Sequence, residues 1–484
     1  MKKSVLAILA VLGLSQAHAN MFAANQAIND KDFSKAKAEL TKSAQVGNPE
    51  AQFKLGILNY QGLDGTVDKQ QAMAWFFLAS QYDYPQAINF AGEIFQSLDK
   101  SQQAKASKMA EEFVKQYGKT KINEQYFPYV SDSVLDDQVI NKRSKINVKG
   151  KFYVNSDSRA RSHNQAAIDR AIRSYGSNPG AINNLSKTMI NPDSGRVEVV
   201  YDARRDGRVE DVEIIFSWPR GRFDKEFVKS IETSKLRPAK RKGKNVEQYG
   251  MFSHVNVYYQ GTGGLREGYP HLFKQFKSLQ KRAEESASAK YQYACFLRAY
   301  NDLFNDQELE AFEPVLREAA EAGQPNAQYD YALYQIYRND DIEDGIEWLN
   351  KAAKHGLLQA EYRLGDILYQ SPSPYVKQDI AKAQFWLGKA AERNHFKAQQ
   401  KLAEIRFKQE NVDKDFVKLA IDWLEEIEDE NAADPNTYYL LAKAHELIGE
   451  KSQASDYIEE AIDEAKAAKW NTKAWLKYQS QLEG

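Results

Sequence analysis

The sequence of 484 residues contains one cysteine, Cys295, so no disulfide can form within the chain and stability must come from packing. Cys295 sits in the apolar stretch Tyr293-Ala294-Cys295-Phe296-Leu297, the setting of a buried small hydrophobe, not of a nucleophile. The 13 prolines are scattered and build no proline-rich spacer. Beyond the first residues, no apolar run approaches the about 20 residues that span a bilayer, which argues against stable membrane insertion. Neither His-Glu-x-x-His nor Gly-x-Ser-x-Gly occurs. The seven histidines have no metal-ligand spacing; His254 and His271 are the closest pair. Gly261-Thr262-Gly263-Gly264 lacks the third spaced glycine and the helix start of a phosphate site, and has the composition of a linker. These absences predict a chain that is not an enzyme, with no catalytic residue, no metal ligand and no cofactor.

What is present begins at the N-terminus. Met1-Lys2-Lys3 is a short basic start, Val5–Leu14 an apolar core, and Ala17-His18-Ala19 an A-x-A cleavage site. This pattern predicts a signal peptide, residues 1–19, cleaved after Ala19; no Cys follows to carry a lipid anchor. The mature chain is therefore expected to be soluble and outside the cytoplasm. Net charge is −1, but residues 140–260 carry an excess of about eleven positive charges and residues 301–484 about fifteen negative ones. Export argues against a nucleic-acid partner, despite Lys240-Arg241-Lys242.

One pattern recurs at both ends. It reads Gly47, Ala51, Phe53, Leu55, Gly56, Leu58, Tyr60, then Ala72, Ala74, Trp75 and Ala79. It returns as Gly323, Ala327, Tyr329, Trp348, Ala352, and again as Gly356, Ala360, Tyr362, Leu364, Gly365, Trp386, Ala390. Ala327, Ala360 and Ala398 are 33 and 38 residues apart, the period of a helix-turn-helix repeat. Ala51, Leu55 and Leu58 form one buried stripe at helical spacing. Small residues such as Gly56 and Gly365 let paired helices approach, Trp75, Trp348 and Trp386 fill the space between repeats, and Gly47, Gly323 and Gly356 end helices with positive φ. The pattern resembles Sel1-like repeats, relatives of the tetratricopeptide repeat. It implies a stack in which each unit touches its neighbours and presents a long binding surface. From Ala420 onward the glycines fade, and degenerate repeats are expected to close the array.

In the middle, Val197–Tyr201 alternates as a strand, Asp206-Gly207-Arg208 turns, and Val209–Ile215 is a second strand. Asp224 is placed to cap a helix carrying Phe227, Val228 and Ile231, and Met251–Tyr259 is a last strand. The ββαβ order, with Asp206-Gly207-Arg208-Val209, Phe223-Asp224, Arg237-Pro238-Ala239, Gly243 and Val246, resembles the C-terminal domain of TonB-type energy transducers. Ser234 and Leu236 stand where that family usually has Trp and Phe, and neither a retained anchor nor a proline-rich spacer accompanies the domain. The resemblance implies capture of an extended segment of an outer-membrane transporter beside the last strand, and the signal peptide implies the periplasm. Phe252, His254, Asn256 and Tyr258 line one face of that strand. They are either the docking face for a peptide or simply covered within their own domain.

The expected fold is mainly α: two α-solenoid segments flanking a small α+β domain. The expected boundaries are 20–118 for N-terminal repeats, 119–185 for a basic connecting region, 186–260 for the TonB-like domain, 261–284 for a linker and helix, and 285–484 for C-terminal repeats. The expected function is a non-catalytic periplasmic adaptor between envelope proteins, serving a TonB-type transport system through a transporter or another component of that system. The alternative is an envelope scaffold that organises cell-wall enzymes.

Overall fold

The computed structural model describes residues 20–135, 195–257 except 242, 265–300, 311–339, 341–430, 434–468 and 470–483. The expected signal peptide, the connecting region from 136 to 185, Tyr258 and the Gly261–Gly264 linker lie outside the described residues. The chain divides into two compact units: one built from residues up to Asp137 together with Asp341 onward, the other from Gln138–Asp340. The fold is mainly helical, with α-solenoid repeats flanking a small antiparallel sheet. Contacts group residues 285–340 with the strands, whereas the sequence places them with the C-terminal repeats.

The first unit begins with helices α1 (Met21–Asn29), α2 (Phe33–Gln45), α3 (Pro49–Gln61), α4 (Lys69–Ser80), α5 (Ala87–Ser97), α6 (Lys100–Tyr117) and α7 (Lys119–Tyr126). Asn20, Asp32, Asn48, Asp68 and Asp99 each accept a backbone N–H of the helix that follows, the standard way of satisfying an orphan donor. Ala51, Leu55, Leu58, Trp75 and Leu78 share one buried cluster with Met21 and Leu40, so the stripe legible in sequence is the surface along which repeats stack. Trp75 lies against Phe113, with ring centroids 4.4 Å apart.

The same unit resumes after residues 138–340 with α14 (Ile342–Lys354), α15 (Leu358–Tyr369), α16 (Ile380–Ala391), α17 (Phe396–Phe407), α18 (Lys414–Glu430), α19 (Pro435–Ile448), α20 (Lys451–Ala467) and α21 (Lys473–Glu483). The repeat glycines do what their positions require: Gly47 and Gly356 take φ of +82° and +80°. The residue after each repeat alanine has a shared task. Gln52 donates to the Ala44 carbonyl and Gln399 to the Ala391 carbonyl, each eight residues back at 3.2 Å, which ties a repeat to the helix before it. At Glu361 a carboxylate replaces the amide and accepts from Arg393 at 2.8 Å.

The two halves of this unit meet directly. The Asn48 side chain caps α3 and also donates to the Lys354 carbonyl at 2.8 Å, and Met21 N–H donates to the His355 carbonyl at 3.3 Å. Lys354 is buried here, over the rings of Tyr82 and Phe127; burial, with Lys119 and Lys351 nearby, lowers its pKa to about 8.

The second unit contains β1 (Gly195–Ala203), β2 (Val209–Trp218), α8 (Asp224–Glu232), β3 (Ala239–Arg241), β4 (Lys244–Val246) and β5 (Gln248–Val257). They are followed by α9 (Leu265–Gly268), α10 (Pro270–Arg282), α11 (Ala287–Tyr300), α12 (Phe312–Glu321), α13 (Pro325–Tyr334) and a π-helical turn, Gln335–Asn339. The Gly207 turn of the β1–β2 hairpin is as expected, with φ of +86°. The helix starts one residue earlier in capping terms than the sequence suggests. Phe223 is the N-cap and Asp224 the first helical residue; its carboxylate turns back to accept Ser217 Oγ–H at 2.5 Å and Gly221 N–H at 3.0 Å. The β3–β4 hairpin is an addition to the expected ββαβ order.

Gly365 offers a direct test of close repeat packing. A Cβ there would lie 2.6 Å from Leu387 Cγ and 2.9 Å from its backbone nitrogen, and backbone cannot step aside. Gly365→Val should lose about 1–3 kcal/mol in urea unfolding, as overpacked sites do. An unchanged unfolding midpoint would show that α15 and α16 are not held together at this point.

Candidate functional site

The sheet order is β2-β1-β5, so β1 is central and β5 lies at one side. β5 runs antiparallel to β1 from Gly195↔Val257 to Ala203↔Gln248. Among the described residues no strand pairs with its other edge. Side chains alternate across a strand. Met251 and Val255 turn toward α8 and pack with Val197, Val199, Tyr201, Phe227 and Ile231. Phe252, His254 and Asn256 occupy the opposite face; Tyr258 lies outside the described residues.

That face is partly covered by the unit's own helices. The Arg338 guanidinium stands 4.9 Å from the Phe252 ring centroid, and the Phe252 and His254 rings are 5.8 Å apart. His254 is exposed, Phe252 and Asn256 are half-buried, and the Asn256 Oδ1 has no hydrogen-bond partner among the described residues. The strand therefore offers a backbone edge and a mixed aromatic and polar face, with one aromatic held beneath a cation.

Under it lies a cluster of buried charges. All nine residues of β1 are buried, including Arg196, Glu198 and Asp202. Glu198, 1% exposed, accepts from Arg196 Nε at 2.6 Å and from Arg298 Nη2 of α11 at 2.6 Å, with Arg338 Nη1 at 3.9 Å. Burial opposes ionisation of Glu198, but Arg298 and then Arg196 outweigh it and hold the carboxyl at about 2. Arg298 also stacks over Phe216 at 4.3 Å. Behind it, Tyr291 donates to Asp330 Oδ2 at 2.7 Å, and burial raises the pKa of both groups. Burial also pushes the Cys295 thiol up to about 12, which makes it a packing residue. Glu198 is matched by two guanidinium groups, while Arg298 Nη1 is buried with no hydrogen-bond partner among the described residues, and the geometry is that of a structural ion network.

Alternation in Val197-Glu198-Val199 suggests a strand with one wet face; both faces are covered, because paired charges can be buried where lone ones cannot. Nothing local in the sequence marks Arg298, 100 residues from Glu198, or Arg338 as their partners. Among the described residues no group of His, Cys, Asp and Glu could hold a metal ion, and no helix is long and apolar enough to cross a membrane.

Residues 189–256 match the Gram-negative bacterial TonB protein C-terminal family, and residues 49–81, 325–357, 358–395 and 396–427 match the Sel1 repeat. The repeat at 325–357 spans the boundary between the two units. No curated protein matches the chain in sequence. Among solved structures, the chain is similar to a protective antigen of uropathogenic Escherichia coli displaying an SLR fold, with 15% identity over 88% of this chain and 79% of that one, at a TM-score of 0.32. It is also similar to a Sel1 repeat protein from Oxalobacter formigenes, with 18% identity over 40% of this chain and 83% of that one, at a TM-score of 0.31.

The buried cluster yields a stability prediction. Glu198→Gln leaves guanidinium groups buried without a counter-charge and should cost about 3–5 kcal/mol in chemical unfolding near neutral pH. The folded pKa of Glu198 lies below its ordinary 4.5. The unfolded chain thus binds the proton first, and the stabilisation present above 4.5 is lost as pH falls toward about 2. The variant should have a shallower stability profile over that window. Equal slopes for both proteins would mean Glu198 is not ionised in the folded chain.

Proposed function

We propose that this chain, which carries Sel1 repeats and a central region matching the TonB C-terminal family, is a non-catalytic adaptor of the periplasm, accessory to a TonB-type outer-membrane transport system. Sel1 repeats are protein–protein interaction modules, and stacked repeats offer an extended surface for a protein partner. The observation that carries the reading is the edge of β5. It is one strand removed from the sheet centre, has no strand beside it among the described residues, and lies in the domain whose family belongs to the Gram-negative envelope. An extended partner segment would add there through backbone hydrogen bonds, with Phe252, His254 and Asn256 selecting its side chains on one face. The pattern at residues 1–19 supports export.

A second reading has its own support. Arg338 over Phe252 and the ion network under β1 occupy the sheet face that faces α11. In that reading the central domain is structural, and the repeats alone organise envelope enzymes.

Tagged protein should recover a transporter or transducer component from periplasmic and outer-membrane extracts. Recovery of neither removes the transport part of the proposal. The strand itself is tested by two proline variants. In an antiparallel pair the N–H and C=O of one residue point to the same neighbour, and those of the next residue point away from it. Of His254 and Val255, one therefore bonds to β1 and the other faces outward. His254→Pro and Val255→Pro should differ: the variant that loses the β1 bond is destabilised, while the other keeps its fold and loses partner capture by tenfold or more. Undiminished capture by the folded variant would contradict strand addition.

A further inference from the structure

Past Tyr126, the last residue of α7, residues 127–135 cross the repeat formed by α15 and α16, making contacts of the kind a bound peptide makes. Two consecutive carbonyls are held by side chains of α16. The Trp386 indole N–H donates to the Tyr126 carbonyl at 2.6 Å, and the Lys382 ammonium donates to the Phe127 carbonyl at 2.7 Å. Two consecutive rings are anchored as well. Tyr126 stacks on Phe385 with centroids 4.3 Å apart; Phe127, 1% exposed, lies 5.3 Å from Trp386 and 4.7 Å from Lys354 Nζ. Beyond Pro128 the backbone pairs antiparallel with the loop before α16. Ser131 N–H donates to the Tyr375 carbonyl, Lys377 N–H to the Tyr129 carbonyl and Leu135 N–H to the Pro374 carbonyl, with Val130 opposite Val376.

Tyr126 and Phe127 are buried, but the segment beyond Pro128 is not packed as core is. There Val130 is half-buried, and Tyr129, Val134 and Leu135 are 59%, 53% and 46% exposed. It is attached through its backbone and two rings to a repeat whose helices already pack against each other and against α17.

From this geometry we infer that the repeat at 358–395 carries a docking groove for a peptide with two adjacent aromatics followed by proline. Residues 126–135 occupy the groove in cis, as a latch that a partner segment of the same chemistry displaces. The inference deepens the adaptor reading by assigning one groove and one class of partner segment. A cis occupant lowers the apparent affinity for a competitor by the fraction of time the groove stands open, so releasing the latch must raise that affinity.

The test uses the full chain and a labelled peptide spanning Glu124–Leu135. Phe127→Ser with Ser131→Pro removes one anchor and one backbone donor. This release variant should bind the peptide saturably and at least ~tenfold more tightly than the wild type, and adding Trp386→Phe should weaken it again. A release variant of unchanged helical content that binds no better than wild type overturns the inference. A second measurement stands if that variant fails to fold. The bonds flanking Val130 and Val376 make them a non-hydrogen-bonded pair, for which Cα atoms are ~4.5 Å apart, within disulfide reach. In Val130→Cys with Val376→Cys, excess unlabelled peptide should speed amide exchange in residues 126–135 when the protein is reduced and not when it is oxidised. Equal exchange in both states overturns the inference. Partners recovered from envelope extracts despite either negative result would leave the adaptor reading standing and remove only the groove.

Discussion

A pair of repeat helices cannot bury both of its apolar faces, and in this chain part of the cover for the N-terminal repeats is supplied by residues hundreds of positions away. Asn48 is the smallest expression of that constraint. Its amide oxygen accepts from Ala51 N–H at the start of α3, and its amide nitrogen donates to the carbonyl of Lys354, 306 residues along the chain. Around it, Met21 N–H reaches the His355 carbonyl and Lys354 lies over the ring of Tyr82. Each contact buries polar groups that need partners, so the two stretches form one folded unit although residues 138–340 separate them in sequence.

The intervening unit is stabilised differently. Its sheet has an apolar face against α8 and a charged face against α11, and the second works only because Glu198, Arg196 and Arg298 are present together. A buried ion network is weak evidence for added stability but a strong constraint on arrangement, because displacing any member leaves a charge in a dry site. It fixes which face of the sheet the helices cover, and among the described residues no strand lies beside the edge of β5.

Much of this was legible from residue patterns. Gly56 and Gly365 announced close helix contacts because no side chain fits there, and Trp75 and Trp386 announced repeat interfaces by recurring at matched positions. Asp206-Gly207 announced the hairpin because its turn needs a left-handed backbone, which Gly207 adopts. The period of two placed Phe252, His254 and Asn256 on one face. What covers that face was not legible, because Arg338 and Arg298 meet the sheet through tertiary packing and carry no local signal. The burial of Glu198 was hidden for the same reason: charges at Arg196, Glu198 and Asp202 on one side of a strand look like a wet face until their partners are known. The β3–β4 hairpin was missed because strands of three residues, rich in Lys and Arg, show no alternation. The strap at 126–135 was missed because Tyr126-Phe127-Pro128 has no periodicity, and its partners are carbonyl-seeking side chains of a distant helix.

The central claim is that residues 20–135 and 341–430 fold as one unit through contacts such as Asn48 to Lys354. Asn48→Asp isolates it, since aspartate caps a helix as well as asparagine does but cannot donate to the Lys354 carbonyl. Hydrogen exchange on the intact chain should show faster exchange in both 49–61 and 342–369 in the variant, with 195–257 unchanged. A change confined to 49–61 would contradict the account, because the two stretches would then be stable without each other.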